Sequence, residues 1–154
     1  MREPIREELK RAAAARVENK LGRGVRFVDA NVFICVLVKS PKEDYLASKS
    51  ILKRVEEGEV ITSISIIQKA IEWLEYDNRR EEVKLLIALN SYAAMKRVET
   101  SWTEMLDAVS DMEKYDLDSV NALTLQVMKK NNVAEIYTDD KDFDRVEWIR
   151  RVWK

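Results

Sequence analysis

The chain has 154 residues, of which 46% are hydrophobic and 36% are charged, a composition that indicates one globular domain rather than a disordered segment. Its formal net charge of −1 gives no bulk attraction to nucleic acid, so any nucleic-acid site must depend on a local patch of charge. The sequence contains no histidine, which excludes histidine-based catalytic triads, zinc sites with histidine ligands and acid–base catalysis by imidazole.

Two sequence features bear on the compartment in which the protein works. No apolar run is long enough to span a bilayer, and residues 1–8 lack the apolar stretch of a signal peptide. Cys35 is the single cysteine and cannot form an internal disulfide, and its apolar neighbours favour a buried side chain over a reactive thiol. We therefore expect a cytoplasmic protein without a membrane segment.

Helix and strand patterns alternate along the first part of the chain. A leading helix at 3–20 is predicted from apolar residues at helical spacing, and it ends where Gly22 and Gly24 interrupt the pattern. The elements predicted next are a strand at 25–28, a buried helix at 31–38, a helix at 44–57, a strand at 60–62 and helices at 63–76 and 80–94.

The second part of the chain continues the alternation. The predicted elements are a short strand at 96–99, an amphipathic helix marked by Trp102, Met105, Leu106, Val109 and Met112, a helix at 120–131, a strand at 136–138 and a final strand at 148–153. This order predicts a parallel sheet covered by helices on both faces. We expect residues 1–24 to form an N-terminal helical extension and residues 25–154 to form the domain.

Two of the predicted strands end on aspartates. Asp29 closes the strand at 25–28, and Asp139 and Asp140 follow the strand at 136–138. In an open α/β sheet, functional groups gather at the carboxyl ends of the strands, so these acids can meet in one pocket. Carboxylate oxygens suit hard divalent cations such as Mg²⁺ and Mn²⁺, which makes a metal site the first hypothesis.

Three segments resemble the motifs of PIN domains, the fold of VapC-type toxin ribonucleases. They are 27–32 (FVDANV), 115–123 (YDLDSVNAL) and 136–144 (IYTDDKDFD), and the resemblance extends from residue 25 to the C-terminus. It implies a three-layer α/β sandwich with a central parallel sheet of four or five strands. It also implies an endoribonuclease that requires Mg²⁺ or Mn²⁺ and acts on single-stranded or structured RNA, as the toxin of a toxin–antitoxin pair in some members.

The resemblance assigns roles to individual residues. Asp29 matches the first family aspartate and Asp140 the closing one, so both are expected to bind metal and to serve catalysis. Asn31 and Thr138 match the polar residues that accompany these two acids. We expect Asn31 and Thr138 to support the carboxylates by hydrogen bonds.

Two positions depart from the family pattern. Lys69 stands where the family has a glutamate, and Asn121 stands where it has an aspartate. An asparagine can ligate metal through its carbonyl oxygen but adds no negative charge, whereas a lysine adds a positive one. Glu72, three residues after Lys69, is the candidate replacement for the missing acid. Asp118 is expected to be the N-cap of the helix that carries Asn121, with a supporting role in the site as the other interpretation.

Two functional classes remain open from the sequence. One is a metal-dependent ribonuclease, and the other is a PIN-like RNA- or protein-binding domain whose metal site is weak or inactive. RNA, an antitoxin protein and a second copy of the chain are the expected partners. The basic leading helix could touch RNA phosphates or pack its apolar stripe on the domain or a second subunit. Trp73 and Trp102 lie on apolar stripes, which favours core or interface positions over base stacking.

Overall fold

A computed structural model describes residues 25–55, 60–89 and 95–153, together with Glu8 and Arg11. The strands in these ranges are β1 (Arg26–Val28), β2 (Val60–Ser63), β3 (Met95–Val98), β4 (Glu135–Tyr137) and β5 (Arg150–Val152). The α-helices are α1 (Ala30–Val38), α2 (Lys42–Val55), α3 (Ile64–Tyr76), α4 (Arg80–Leu89), α5 (Trp102–Tyr115) and α6 (Ser119–Lys130), and a 3₁₀ turn covers Lys141–Arg145.

The strands form one parallel sheet in the order β3-β2-β1-β4-β5. β1 lies at the centre, and its residues Phe27 and Val28 are fully buried because helices cover both faces of the sheet. The chain moves outward from β1 through β2 to β3 and then crosses back to β4. Because crossovers between parallel strands are right-handed as a rule, we expect α1 to α4 on one face and α5 with α6 on the other. The helix contacts agree, since α1 packs against α2, α3 and α4, and α5 packs against α6. The predicted α/β fold with a parallel sheet of four or five strands is confirmed.

Helix α5 turns two acids inward, together with Ala108 and Tyr115. Glu104 and Asp111 are buried against α6, where Lys130 forms an ion pair with Glu104 at 2.8 Å and Gln126 donates a hydrogen bond to Asp111. Of the apolar stripe predicted for this helix, Met112 packs against the core, and the other four residues face solvent, with exposed fractions of 78% for Trp102, 44% for Met105, 56% for Leu106 and 60% for Val109. Trp102 is therefore not a core residue, and its apolar stripe is a free surface in the single chain.

Within the described ranges, the remaining elements agree with the sequence predictions to within a few residues, and the predicted helix ends at 56–57 and 90–94 lie outside those ranges. The final strand is shorter than predicted. The predicted leading helix at 3–20 lies outside the described residues, apart from Glu8 and Arg11, which have helical backbone and exposed side chains. In the described part of the chain, none of the helices combines the length and apolar character needed to cross a membrane.

Candidate active site

The acidic strand ends meet because β1 and β4 are neighbours in the sheet. Val28 pairs with Tyr137, and the Asp29 N–H donates to the Tyr137 carbonyl at 3.1 Å. The residues that follow these two strands therefore leave the sheet at the same edge and side by side. This register brings Asp29 next to Thr138.

The Asp29 side chain is held by two hydrogen bonds and is only 2% exposed. It is the N-cap of α1, where its Oδ1 accepts from the Ala30 N–H at 2.7 Å. Its Oδ2 accepts from the Thr138 hydroxyl, also at 2.7 Å. Each carboxylate oxygen still has a second lone pair, so Asp29 retains acceptor capacity for a cation.

Thr138 links the two acidic strand ends. Its hydroxyl donates to Asp29 and accepts the backbone N–H of Asp140 at 3.1 Å. Asn31 lies beside this link, with its Oδ1 at 3.4 Å from the hydroxyl and its Nδ2 donating to the Asp139 carboxylate. Thr138 and Asn31 thus occupy the supporting positions expected from the sequence.

Asp140 is fixed from two directions. Its Oδ1 accepts the Asp142 N–H at 2.9 Å and so caps the 3₁₀ turn, while its Oδ2 accepts from the Asn121 side-chain amide at 2.9 Å. Asn121 lies in the first turn of α6 and is fully buried. Asp118 is the N-cap of that helix and accepts the Asn121 N–H at 2.8 Å, so its carboxylate serves the helix terminus.

A cavity of about 640 Å³, called the acidic pocket below, opens beside these residues. Its polar lining includes Asp29, Asn31, Lys69, Asp139, Asp140 and Lys141. Lys69 lines the pocket from α3, at the position where the sequence resemblance led us to expect a glutamate. Glu72 does not line it; this residue accepts a hydrogen bond from Gln68 at 3.1 Å and faces a separate, smaller cavity between α3, α5 and α6. The structure therefore does not bring Glu72 together with the two aspartates.

The electrostatics of the pocket favour a cation. Burial raises the pKa of the Asp29 carboxyl, and the positive charge of Lys69 and the hydrogen bond from Thr138 offset only part of this rise. The pKa of Asp139 is also raised, first by partial burial and then by the negative charges of Asp44 and Asp29. Loss of hydration is thus the first cause of both raised pKa values, and a cation in the pocket would compensate for it.

The groups that could bind a metal here are carboxylate and amide oxygens, which suit a hard divalent cation, but they supply little negative charge. In the described ranges, no three acidic or sulfur side chains form a group that could hold a metal ion. The buried Asn121 Oδ1, however, has no hydrogen-bond partner. The amide orientation follows from Asp140, which can only accept, so the orphan atom is the oxygen. Asp29, Asp140 and this oxygen are the three groups that could ligate a cation.

Sequence reasoning missed part of the pocket wall. Trp73 lines the acidic pocket and is 40% exposed, and Asp44 lines it from α2. The sequence could have indicated this position for Trp73, because it lies four residues after Lys69 and both side chains therefore share one face of α3.

Comparison with known proteins agrees with this architecture. The model of the PIN domain family matches residues 26–149. A search of curated proteins gives no match. Among solved structures, VapC20 of Mycobacterium tuberculosis, a sarcin–ricin loop cleaving toxin, superposes with a TM-score of 0.72 at 16% identity, covering 83% of this chain and 98% of its own.

Two further structures have the same fold. A toxin–antitoxin complex from Klebsiella pneumoniae matches with a TM-score of 0.59 at 15% identity, over 81% of this chain and 95% of its own. VapBC2 of Rickettsia felis, solved with a DNA fragment of its promoter, matches with a TM-score of 0.62 at 12% identity, over 85% of this chain and 100% of its own. Because the family model covers most of the sequence, the chain belongs to the PIN domain family.

Proposed function

We propose that this chain is a VapC-like endoribonuclease that acts on single-stranded or structured RNA with the help of Mg²⁺ or Mn²⁺. The observation that carries the proposal is the linkage of Asp29 to Asp140 through the Thr138 hydroxyl, with the unpaired Asn121 oxygen in the same cluster. The similarity to VapC20, a toxin that cleaves the sarcin–ricin loop, supports RNA as the substrate class.

The chain's own residues would position the reacting groups. Asp29 and Asp140 would hold the cation with Asn121, and Thr138 would keep both carboxylates in fixed orientations. A bound divalent cation supplies an activated water and stabilises the leaving oxygen in phosphodiester hydrolysis. Lys69, beside these acids, would bind a phosphate oxygen but would also repel the cation, so we expect weak metal affinity.

The test is cleavage of labelled RNA with Mn²⁺, with EDTA and in the Asp29→Asn variant. We expect slow, Mn²⁺-dependent cleavage that EDTA and Asp29→Asn abolish. Restoring the family residues in a Lys69→Glu, Asn121→Asp double variant should raise both Mn²⁺ affinity and cleavage rate, because each change adds negative charge to the site. Cleavage that is unchanged in EDTA and in Asp29→Asn would refute the proposal.

A second candidate is a PIN-like domain that binds RNA or protein without cleaving. Two observations favour it: Lys69 lines the pocket, and in the described ranges no three acidic side chains are grouped so that they could hold a metal ion. For this candidate, the unmodified chain binds RNA equally well with Mn²⁺ or EDTA and leaves it intact. The double variant then gains cleavage that the unmodified chain lacks.

We infer three partners: RNA, an antitoxin protein and a second copy of the chain. Two of the similar structures are toxin–antitoxin assemblies, which supports the antitoxin. The exposed apolar stripe of α5 supports a homodimer, because α5 leaves the large apolar side chains of Trp102 and Leu106 in solvent. Sedimentation with a mass near twice 18.0 kDa would support the dimer.

We further propose a cytoplasmic location. We also propose that the chain divides into an extension at 1–24 and the domain at 25–154.

A further inference from the structure

We propose that the acidic pocket receives one unpaired nucleotide of RNA, with the base stacked on Trp73 and the adjoining phosphate at Lys69. This inference rests on the proposed function and specifies its substrate as RNA with an accessible base at the site. It assigns Trp73 a role as a positioning contact for the substrate.

The lining of the pocket combines two chemical classes. Aspartates that include Asp29 and Asp140 supply negative charge, and Ile34, Val38, Pro41 and Trp73 supply apolar surface. Its volume of about 640 Å³ lies within the range of roughly 300–1,000 Å³ that is typical of small-ligand sites. A nucleotide also combines an apolar planar base with a charged phosphate, so it can use both kinds of surface.

Trp73 is suited to stacking by its position on α3. The inner face of α3 is fully buried at Ile66, Ala70 and Leu74, which anchors the helix against the domain. Trp73 lies next to Leu74 but keeps 40% of its surface exposed, along the wall of the pocket. An indole face that is exposed in a rigid pocket is a sequence-tolerant platform for an unpaired base.

Lys69 lies one turn before Trp73 on the same face of α3, about 6 Å away at the level of Cβ. It is one of two lysines in a pocket that is otherwise acidic, and such a pocket repels phosphate unless a cation is present. A base on Trp73 places its phosphate beside Lys69, where the ammonium compensates the added charge. Bases inside a duplex are stacked on their neighbours, so the pocket selects single-stranded positions.

The experiment measures fluorescence anisotropy of a fluorescein-labelled, mixed-sequence single-stranded RNA of about a dozen nucleotides. Binding is measured in EDTA, which prevents metal-dependent cleavage, and is compared with the same strand annealed to its complement. Trp73→Ala should weaken single-strand binding by about 5- to 150-fold, the range for loss of one stacked base. Trp73→Phe should recover most of the affinity because it keeps an aromatic face.

Tyr76→Ala is the matched control, since Tyr76 is an aromatic residue of the same helix, is 89% exposed and lies outside the pocket lining. We expect its single-strand affinity to equal that of the unmodified chain. Quenching of tryptophan fluorescence by RNA should be lost in Trp73→Phe and kept in Tyr76→Ala. Equal affinity of Trp73→Ala and the unmodified chain would overturn the inference, as would equal weakening by Trp73→Ala and Tyr76→Ala.

A separate cleavage assay with Mn²⁺ distinguishes this inference from the proposed function. If the unmodified chain cleaves RNA while Trp73→Ala binds normally, the stacking inference fails and the nuclease stands. If Trp73→Ala weakens binding while the unmodified chain does not cleave, the stacking inference stands and the catalytic proposal fails.

Discussion

Lys69→Met is the most direct perturbation of the acidic pocket, because it removes one positive charge and keeps most of the side-chain volume. Five aspartates and two lysines line the pocket, and Lys69 is half-buried where it does so. A lysine and a divalent cation about 6 Å apart repel by about 1.4 kcal/mol at the dielectric constant of water and by about twice that at half the value. We therefore expect Mn²⁺ to bind about ten- to a hundredfold more tightly to the variant.

Isothermal titration with MnCl₂ at fixed ionic strength measures this change. Lys141→Met is the control, since Lys141 lines the same pocket but is exposed on the 3₁₀ turn. Solvent and salt screen an exposed charge, so its removal should change the Mn²⁺ affinity by less than about threefold. If Lys69→Met binds Mn²⁺ no better than the unmodified chain, the ammonium does not oppose the cation, and the explanation for weak metal binding is refuted.

Three further predictions concern stability and assembly. Thr138→Val should lower the free energy of unfolding by about 1–3 kcal/mol in urea titrations because it leaves the buried Asp29 oxygen without its donor, whereas Thr138→Ser should not. Burial acts to raise the pKa of Glu135, but hydrogen bonds from two arginines, Arg26 among them, lower it overall. A lowered pKa contributes stability that is fully present above the unfolded-state value of about 4.3 and is lost as the pH falls through the lower folded-state value, so the deficit of Glu135→Gln should be present at neutral pH and shrink as the pH falls below about 4.3; a deficit that stays constant through this fall contradicts the reasoning. Leu106→Glu should convert the proposed dimer to a monomer in sedimentation, and a mass unchanged from the unmodified chain would exclude α5 from the interface.

The sheet could be predicted from sequence because its signals are local. The central strand is a short apolar run closed by Asp29, and turn residues or charges delimit each neighbouring element. The parallel order followed from helices between successive strands. These patterns repeat within a few residues, and tertiary packing did not change the helices and strands that they predict.

The orientation of α5 could not be predicted in the same way. The apolar stripe around Trp102 and Leu106 has the spacing of a surface that faces the core. Periodicity predicts that a helix has an apolar face, but it does not predict whether that face packs on the domain. The inward face is chosen by long-range partners: Lys130 meets Glu104 and Gln126 meets Asp111. These partners on α6 are 15 or more residues away in sequence.

The site was predictable where it depended on strand ends and less so where it depended on helix rotation. Asp29 and Asp140 follow paired strands, so their proximity is a consequence of the sheet. Whether Lys69 or Glu72 enters the pocket depends on how α3 rotates about its axis. That rotation is set by the packing of the buried residues on the inner face of α3. The residues that they pack against are distant in sequence, so the rotation could not be predicted from the sequence.

The two acids of the site also hold the backbone. Asp29 caps α1 and Asp140 caps the 3₁₀ turn, whereas positions 69 and 121 cap nothing. A stable fold therefore depends on both aspartates, whether or not the chain hydrolyses RNA. Asn121 also supports the fold, because it is fully buried and donates to Asp140, so position 69 is the one of these four at which a substitution leaves the described caps and site hydrogen bonds unchanged.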